Sequence, residues 1–243
     1  MVRIKKLKNV KNEFWLRLKE IKSLFKIVEK INKKIWGGIT KKEKIILEIN
    51  KSSLVVMLYG FVERLLSVLV QEIYNNLKSD VNLNYSELIE SLKKHISKNL
   101  MKINSSRQRD VRHDVQGDFL YNDLYKKEPF PISHCLLIDY DGIKKPMCIS
   151  NNIQYKEIKD ILEDFDLKDL CWLDGSRLSN SLDSLLIARN ILSHWWKSFQ
   201  EYWKSISISD FKRWLTDVED MYNTIILWID KYLIDKKYMI VVE

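Results

Sequence analysis

Leu182–Phe199 reads LDSLLIARNILSHWWKSF, and its apolar residues recur at helical spacing. At 100° per residue, Leu182, Leu185, Leu186, Leu192 and Trp196 share one stripe, and Arg189 falls in the middle of it. A guanidinium stays charged at any ordinary pH, so setting it among apolar side chains is costly unless something ionic meets it. Asn190 and His194 stand four residues apart, about 40° round the helix, which makes their side chains neighbours. The stretch asks for an anionic ligand or a partner carboxylate beside a titratable imidazole. The plainer reading is a buried arginine paired within its own chain, next to a histidine satisfied by hydrogen bonds.

Outward from this helix the chain continues in helical pattern. Downstream, Phe211, Leu215, Val218, Tyr222, Ile225, Ile226 and Ile229 mark the buried face of a last helix, from about Asp210 to Tyr232. Upstream, Tyr155–Phe165 is helical and a loop follows around Asp174-Gly175-Ser176. Thr40 to Leu77 is a long helical run with Leu54, Leu58, Phe61, Leu65, Leu69, Ile73 and Leu77 stepping along one face, and a kink is expected near Asn50-Lys51-Ser52. Thr40 and Glu43 have capping-box spacing at its start. Glu63 is the one carboxylate set deep in its apolar part. It is either a solvated side chain on the outer face or a counter-charge for Arg189 or an orienter of His194. Ser86–Leu100 reads as a further helix with Ser86 as N-cap and Leu88, Leu92, Ile96 and Leu100 on one face.

Residues 1–44 hold fifteen Lys or Arg against four Glu. Phe14, Trp15, Leu18, Ile21, Phe25 and Val28 recur there at helical spacing, so this is a basic amphipathic helix to about Ile35, broken by Gly37-Gly38. Its apolar stripe is expected to pack on the chain's own core. Residues 104–150 hold all three prolines and show no steady period beyond strand-like fragments such as Cys135–Ile138. They read as an irregular insertion, and a connection of that length usually has a task.

With 243 residues, 46% hydrophobic and 30% charged, the chain has length and composition for a sizeable globular core. Six glycines and little strand-like alternation point to an all-α fold, expected as a single domain spanning 1–243, with residues 1–48 a basic helical extension and the Arg189 helix spanning about 180–198. A net charge of +8 suits a polyanionic partner, although Lys, Ile and Asn are abundant throughout and compositional bias would produce the same number. Cys135, Cys148 and Cys171 form no C-x-x-C pair, which fits a reducing cytoplasm. The first residues lack the apolar core of a signal peptide, and the apolar run Leu54–Val62 is too short to cross a bilayer. A cytoplasmic protein with no membrane partner is expected.

No glycine-rich phosphate loop is present, and none of the four histidines sits at ligand spacing from another His or a Cys, so neither a nucleotide cofactor nor a metal is expected. His95 and His134 are read as structural and His113 as a surface residue. Arg189, Asn190 and His194 remain as the candidates for chemistry.

The R-x4-H arrangement in ARNILSH, followed by an apolar C-terminal helix, resembles the R-x4-6-H signature of the HEPN superfamily, all-α domains found in RNases of toxin–antitoxin, CRISPR and abortive-infection systems. Ser52–Leu77 is similar to the leading core helix of a bacterial HEPN-nuclease branch, with Leu58-Tyr59 and Val62-Glu63 in its L-Y-x-x-V-E pattern. Ile149–Leu167 is similar to the segment that precedes the signature helix. The resemblance covers roughly 52–77 and 149–232. It implies a HEPN-like helical bundle and metal-independent RNA cleavage in which a 2′-OH attacks the adjacent phosphorus. His194 would act as general acid or base, Arg189 would stabilise phosphate charge, and Asn190 would orient His194 or the phosphate; Glu63 matches the acidic position of the leading helix. It further implies a homodimer with two signatures lining one cleft, and a toxin or anti-phage role with an antitoxin or other partner protein. A non-catalytic HEPN-like module binding nucleic acid or protein is the alternative. Trp195 and Trp196 stand where the family often has a small residue, and are read as core, dimer interface or a base-stacking surface.

Overall fold

The computed structural model describes residues 2–34, 38–80, 83–94, 96, 153–166, 176–193 and 206–240. These residues are all-α: α1 is Val2–Lys33, α2 Lys41–Ser79, α3 Tyr155–Asp164, α4 Ser176–Ser193 and α5 Ile208–Ile234, with a short 3₁₀ turn at Tyr85–Glu87. Residues 90–94 are also helical. Among the described residues Leu88 and Met239 form an isolated antiparallel bridge. The expected insertion at 104–150, all four histidines, all three cysteines, the loop before Ser176, Leu100 and the stretch from His194 to Phe199 lie outside the described residues.

Two helix starts are closed by reciprocal side-chain caps. At α2 the Thr40 N–H donates to Glu43 Oε2 (2.9 Å) while the Glu43 N–H donates to Thr40 Oγ1 (3.2 Å), as the T-x-x-E spacing predicts. The Thr40 bonds hold the Glu43 carboxyl below its usual range. Ser207 and Asp210 repeat the device at α5, at 2.9 and 3.2 Å. Burial works against the Asp210 charge, but the Ser207 bonds and Arg213 prevail and hold its pKa down. Ser207→Ala is expected to lower stability by about 1 kcal/mol, the usual worth of such a cap. In urea the midpoint should fall with an unchanged slope.

The chain forms two compact units. The first comprises Met1–Leu66, Asn151–Lys156 and Cys171–Leu227; the second comprises Ser67–Ser150, Glu157–Leu170 and Trp228–Glu243. In the first unit α1 buries Phe14, Leu18, Ile21, Phe25 and Val28, the expected stripe without Trp15. Trp15 is exposed, with the Lys19 ammonium 3.4 Å from its ring centroid. Phe14 meets Phe61 edge-on at 5.4 Å, and Phe61 meets Tyr222 of α5 at 5.7 Å. The Tyr222 hydroxyl donates to the Lys11 carbonyl (3.2 Å), and Lys22 pairs with Glu219. α4 is fastened to α5 by Asp217, a buried carboxylate that accepts from Ser181 Oγ (2.6 Å) and pairs with Arg177 (2.8 Å).

In α2 every residue of the expected stripe that falls in the first unit is buried. The helix assignment is continuous through residues 50–52. Lys51 and Glu48, one turn apart, are also buried; burial pushes the Lys51 pKa down and Glu48 acts against that shift. The apolar character is not confined to Leu54–Val62. An 18-residue window of this helix is long and apolar enough to match a bilayer span, and just over half of it is buried inside the protein, as in a core helix. The short-run expectation missed this because it stopped at Glu63-Arg64.

In the second unit Leu69, Ile73 and Leu77 of α2 continue the buried stripe, and Tyr74 meets Phe165 at 6.5 Å. The helix expected from Ser86 begins instead at about residue 90, with Ser86 exposed inside the 3₁₀ turn. The reason lies far along the chain. The Ile89 N–H donates to the Tyr238 carbonyl (3.0 Å) and the Ile240 N–H donates to the Glu87 carbonyl (2.8 Å). Backbone groups committed to this pairing are not available to a helical turn. Leu88, Leu92 and Ile96 are nonetheless buried as expected. Tyr232 lies between Trp228 (5.1 Å) and Tyr238 (6.0 Å), and burial together with Asp166 drives its phenol pKa upward.

Candidate active site around Arg189

α4 brings Leu182, Leu185 and Ala188 into the core of the first unit, all essentially inaccessible. Arg189 follows on the border of that face and is half-buried. Its guanidinium carbon lies 5.0 Å from the ring centroid of Tyr59 on α2, a cation–π distance. One arm of the guanidinium, Nη1, donates to Asn190 Oδ1 at 2.9 Å. Tyr59 is itself held: only 3% of it is exposed, and its hydroxyl accepts from the Ile153 N–H at 2.8 Å. A contact from the segment before α3 thus fixes the ring, the ring supports the guanidinium, and the neighbouring amide sets its rotation.

These contacts meet part of the cost of a charge in an apolar stripe, and the sequence pattern did not suggest them. An aromatic face and an amide oxygen both favour a cation and hold the guanidinium in position. Asn190 was expected to orient His194 or a phosphate; its carbonyl oxygen is bonded to Arg189. Glu63 lies one turn beyond Tyr59 on the same face of α2 and is half-buried. The structure therefore gathers Arg189, Asn190 and Tyr59, with Glu63 on the adjoining turn. His194 is the residue after the last of α4 and lies outside the described residues. Among the described residues no three His, Cys, Asp or Glu side chains converge as a metal site would require.

Tyr59 is the Arg189 partner that apolar spacing alone does not single out. It stands in the L-Y-x-x-V-E pattern, but off the main stripe through Leu58 and Phe61, so periodicity gave it no weight. A tyrosine four residues before a carboxylate on a core helix was the available signal.

The sequence matches the family model described as HEPN_MAE_28990-like HEPN over residues 6–238. The chain belongs to the HEPN superfamily. The match takes in the basic α1 and the central segment, both beyond the stretches whose resemblance was noted above. No curated protein and no solved structure matches the chain. Membership supports a nuclease or another HEPN module concerned with nucleic acid, and in this HEPN protein the arginine of the R-x4-H stretch, Arg189, is the one seated over Tyr59.

Proposed function

We propose that the chain is a metal-independent endoribonuclease acting through Arg189, Asn190, His194 and Glu63. The observation that carries the reading is a charged guanidinium held by Tyr59 and Asn190 on the helix that leads directly into His194. A fork of N–H donors fixed before substrate arrives suits the charge that builds on phosphate oxygens during transfer. In the reaction a ribose 2′-OH loses its proton and its oxygen attacks the adjacent phosphorus. The bond to the 5′-oxygen breaks, and that oxygen gains a proton, leaving a 2′,3′-cyclic phosphate and a 5′-hydroxyl. His194 would move one of these protons, as an imidazole with a pKa near neutrality can. Glu63 would orient the site electrostatically from α2.

We assign the site to a homodimer in the cytoplasm, two signature helices lining one cleft. Ile187, on α4 two residues before Arg189, is 56% exposed in the single chain, which suits such an interface. The biological role we propose is that of a toxin or anti-phage effector restrained by an antitoxin or another partner protein. The test is incubation of the purified protein with single-stranded RNA in excess EDTA. Cleavage to cyclic-phosphate ends that disappears in His194→Ala would support the reading. RNA binding without cleavage in any form would replace it with a non-catalytic HEPN module.

A further inference from the structure

We infer that the groove between α1 and α2 above Gly60 is a docking site for an acidic, amphipathic protein segment, a reading independent of whether the chain cleaves RNA. The groove has a volume of about 340 Å³, with Phe14 and Ile21 of α1 and Met57 and Phe61 of α2 as its apolar lining. Gly60 stands at its centre, inside a 39-residue helix. Glycine in a helix interior is destabilising relative to alanine, and close packing of the chain on itself is the usual reason to have it there. Among the described residues that reason is absent, because a Cβ built on Gly60 meets none of them within 4 Å. The missing side chain leaves a space that no described residue fills.

The walls say what that occupant is. Val56, one turn before Gly60, is 54% exposed and offers an apolar contact. Arg64, one turn after it, and Arg17 across the groove are both exposed and set two guanidiniums on the rim against one carboxylate, Glu13. Arg17 makes only a distant 3.9 Å pair with Glu20 on its own helix, and such an exposed pair holds its partners weakly. Apolar side chains seated over Gly60 and carboxylates reaching Arg17 and Arg64 would satisfy both features together. Nucleic acid suits the groove less well. It carries anionic charge, but single strands are held by stacking on ring faces. Phe14 and Phe61 are only 2% and 5% exposed, their rings engaged with each other and with Tyr222.

The experiment uses the full chain and a display library of random 16-residue peptides, with a no-protein control. Enriched peptides are synthesised and their Kd is measured by fluorescence anisotropy against the parent, Gly60→Ala, Gly60→Trp and the double variant Arg17→Glu/Arg64→Glu. The expected result is enrichment of sequences combining Leu, Ile or Phe with Asp or Glu. Binding should be retained in Gly60→Ala, weakened at least tenfold in Gly60→Trp, weakened similarly in the arginine double variant, and unaffected by single-stranded RNA. The double variant changes only exposed side chains, so it decides the matter even if Gly60→Trp folds poorly. No enrichment over the control, enriched peptides without acidic residues, or affinity unchanged in the double variant would each overturn the proposal. Displacement of the peptides by RNA would reassign the groove to nucleic acid.

Discussion

Arg189→Ala is expected to slow RNA cleavage by about 10²–10³-fold, the range seen when a fixed donor to developing negative charge is removed. Arg189→Lys should recover little of that loss. Lysine restores the charge but not the planar fork, and its ammonium lies less well on an aromatic face. The Tyr59 ring below the guanidinium and the Asn190 oxygen beside it are fitted to a flat, forked cation. Tyr59→Phe separates the contributions: the ring stays, while the hydroxyl that accepts from Ile153 is lost. Cleavage should then be close to that of the parent, with a modest loss of stability. Single-turnover rates under EDTA, with circular dichroism to confirm folding, make the measurement. A lysine variant as fast as the parent would show that the fork has no part in the chemistry.

Phe61→Ala is expected to lower stability by about 3–5 kcal/mol, the usual cost of deleting a buried aromatic ring. Its ring contacts Phe14 of α1 and Tyr222 of α5, so one truncation loosens three helices of the first unit at once. Against a typical total of about 5–15 kcal/mol this is a large fraction. Trp15→Ala is the control: its ring is half exposed and carries Lys19 rather than core contacts, so the change should stay within about 0.5 kcal/mol. Urea midpoints of the two variants test the contrast, and a Phe61→Ala loss under 1 kcal/mol would mean that the cluster is not the keystone described.

The all-α character, the buried stripes of α1, α2 and α5, the Thr40 box and membership in the HEPN superfamily were legible in the residues, because each depends on local spacing. What was hidden depends on distance along the chain. The turn at Tyr85–Glu87 interrupts a good helical pattern because its backbone partners stand at 238–240. Asp217 is a buried charge on a face that apolar periodicity assigns to solvent, and Lys51 is a buried charge within the apolar stripe itself. Trp15 failed its assignment in the opposite sense, since a large apolar residue on the edge of a stripe can be covered by a neighbouring lysine stem instead of by the core. Around Arg189 the pattern correctly demanded partners for the charge. A ring on a helix more than a hundred residues earlier was not something spacing could supply.

The contacts that seat α1 come from residues about two hundred positions downstream: Lys22 with Glu219, Lys11 with Tyr222 and Phe14 with Tyr222. A ribosome delivers α1 well before α5, and contacts this far apart in sequence close slowly. Phe61 of α2 is available to Phe14 early, but the unit bearing Arg189 is completed only after Tyr222 has left the exit tunnel. Under the RNase reading proposed above, such an order would leave the unit that bears Arg189 incomplete until late in synthesis.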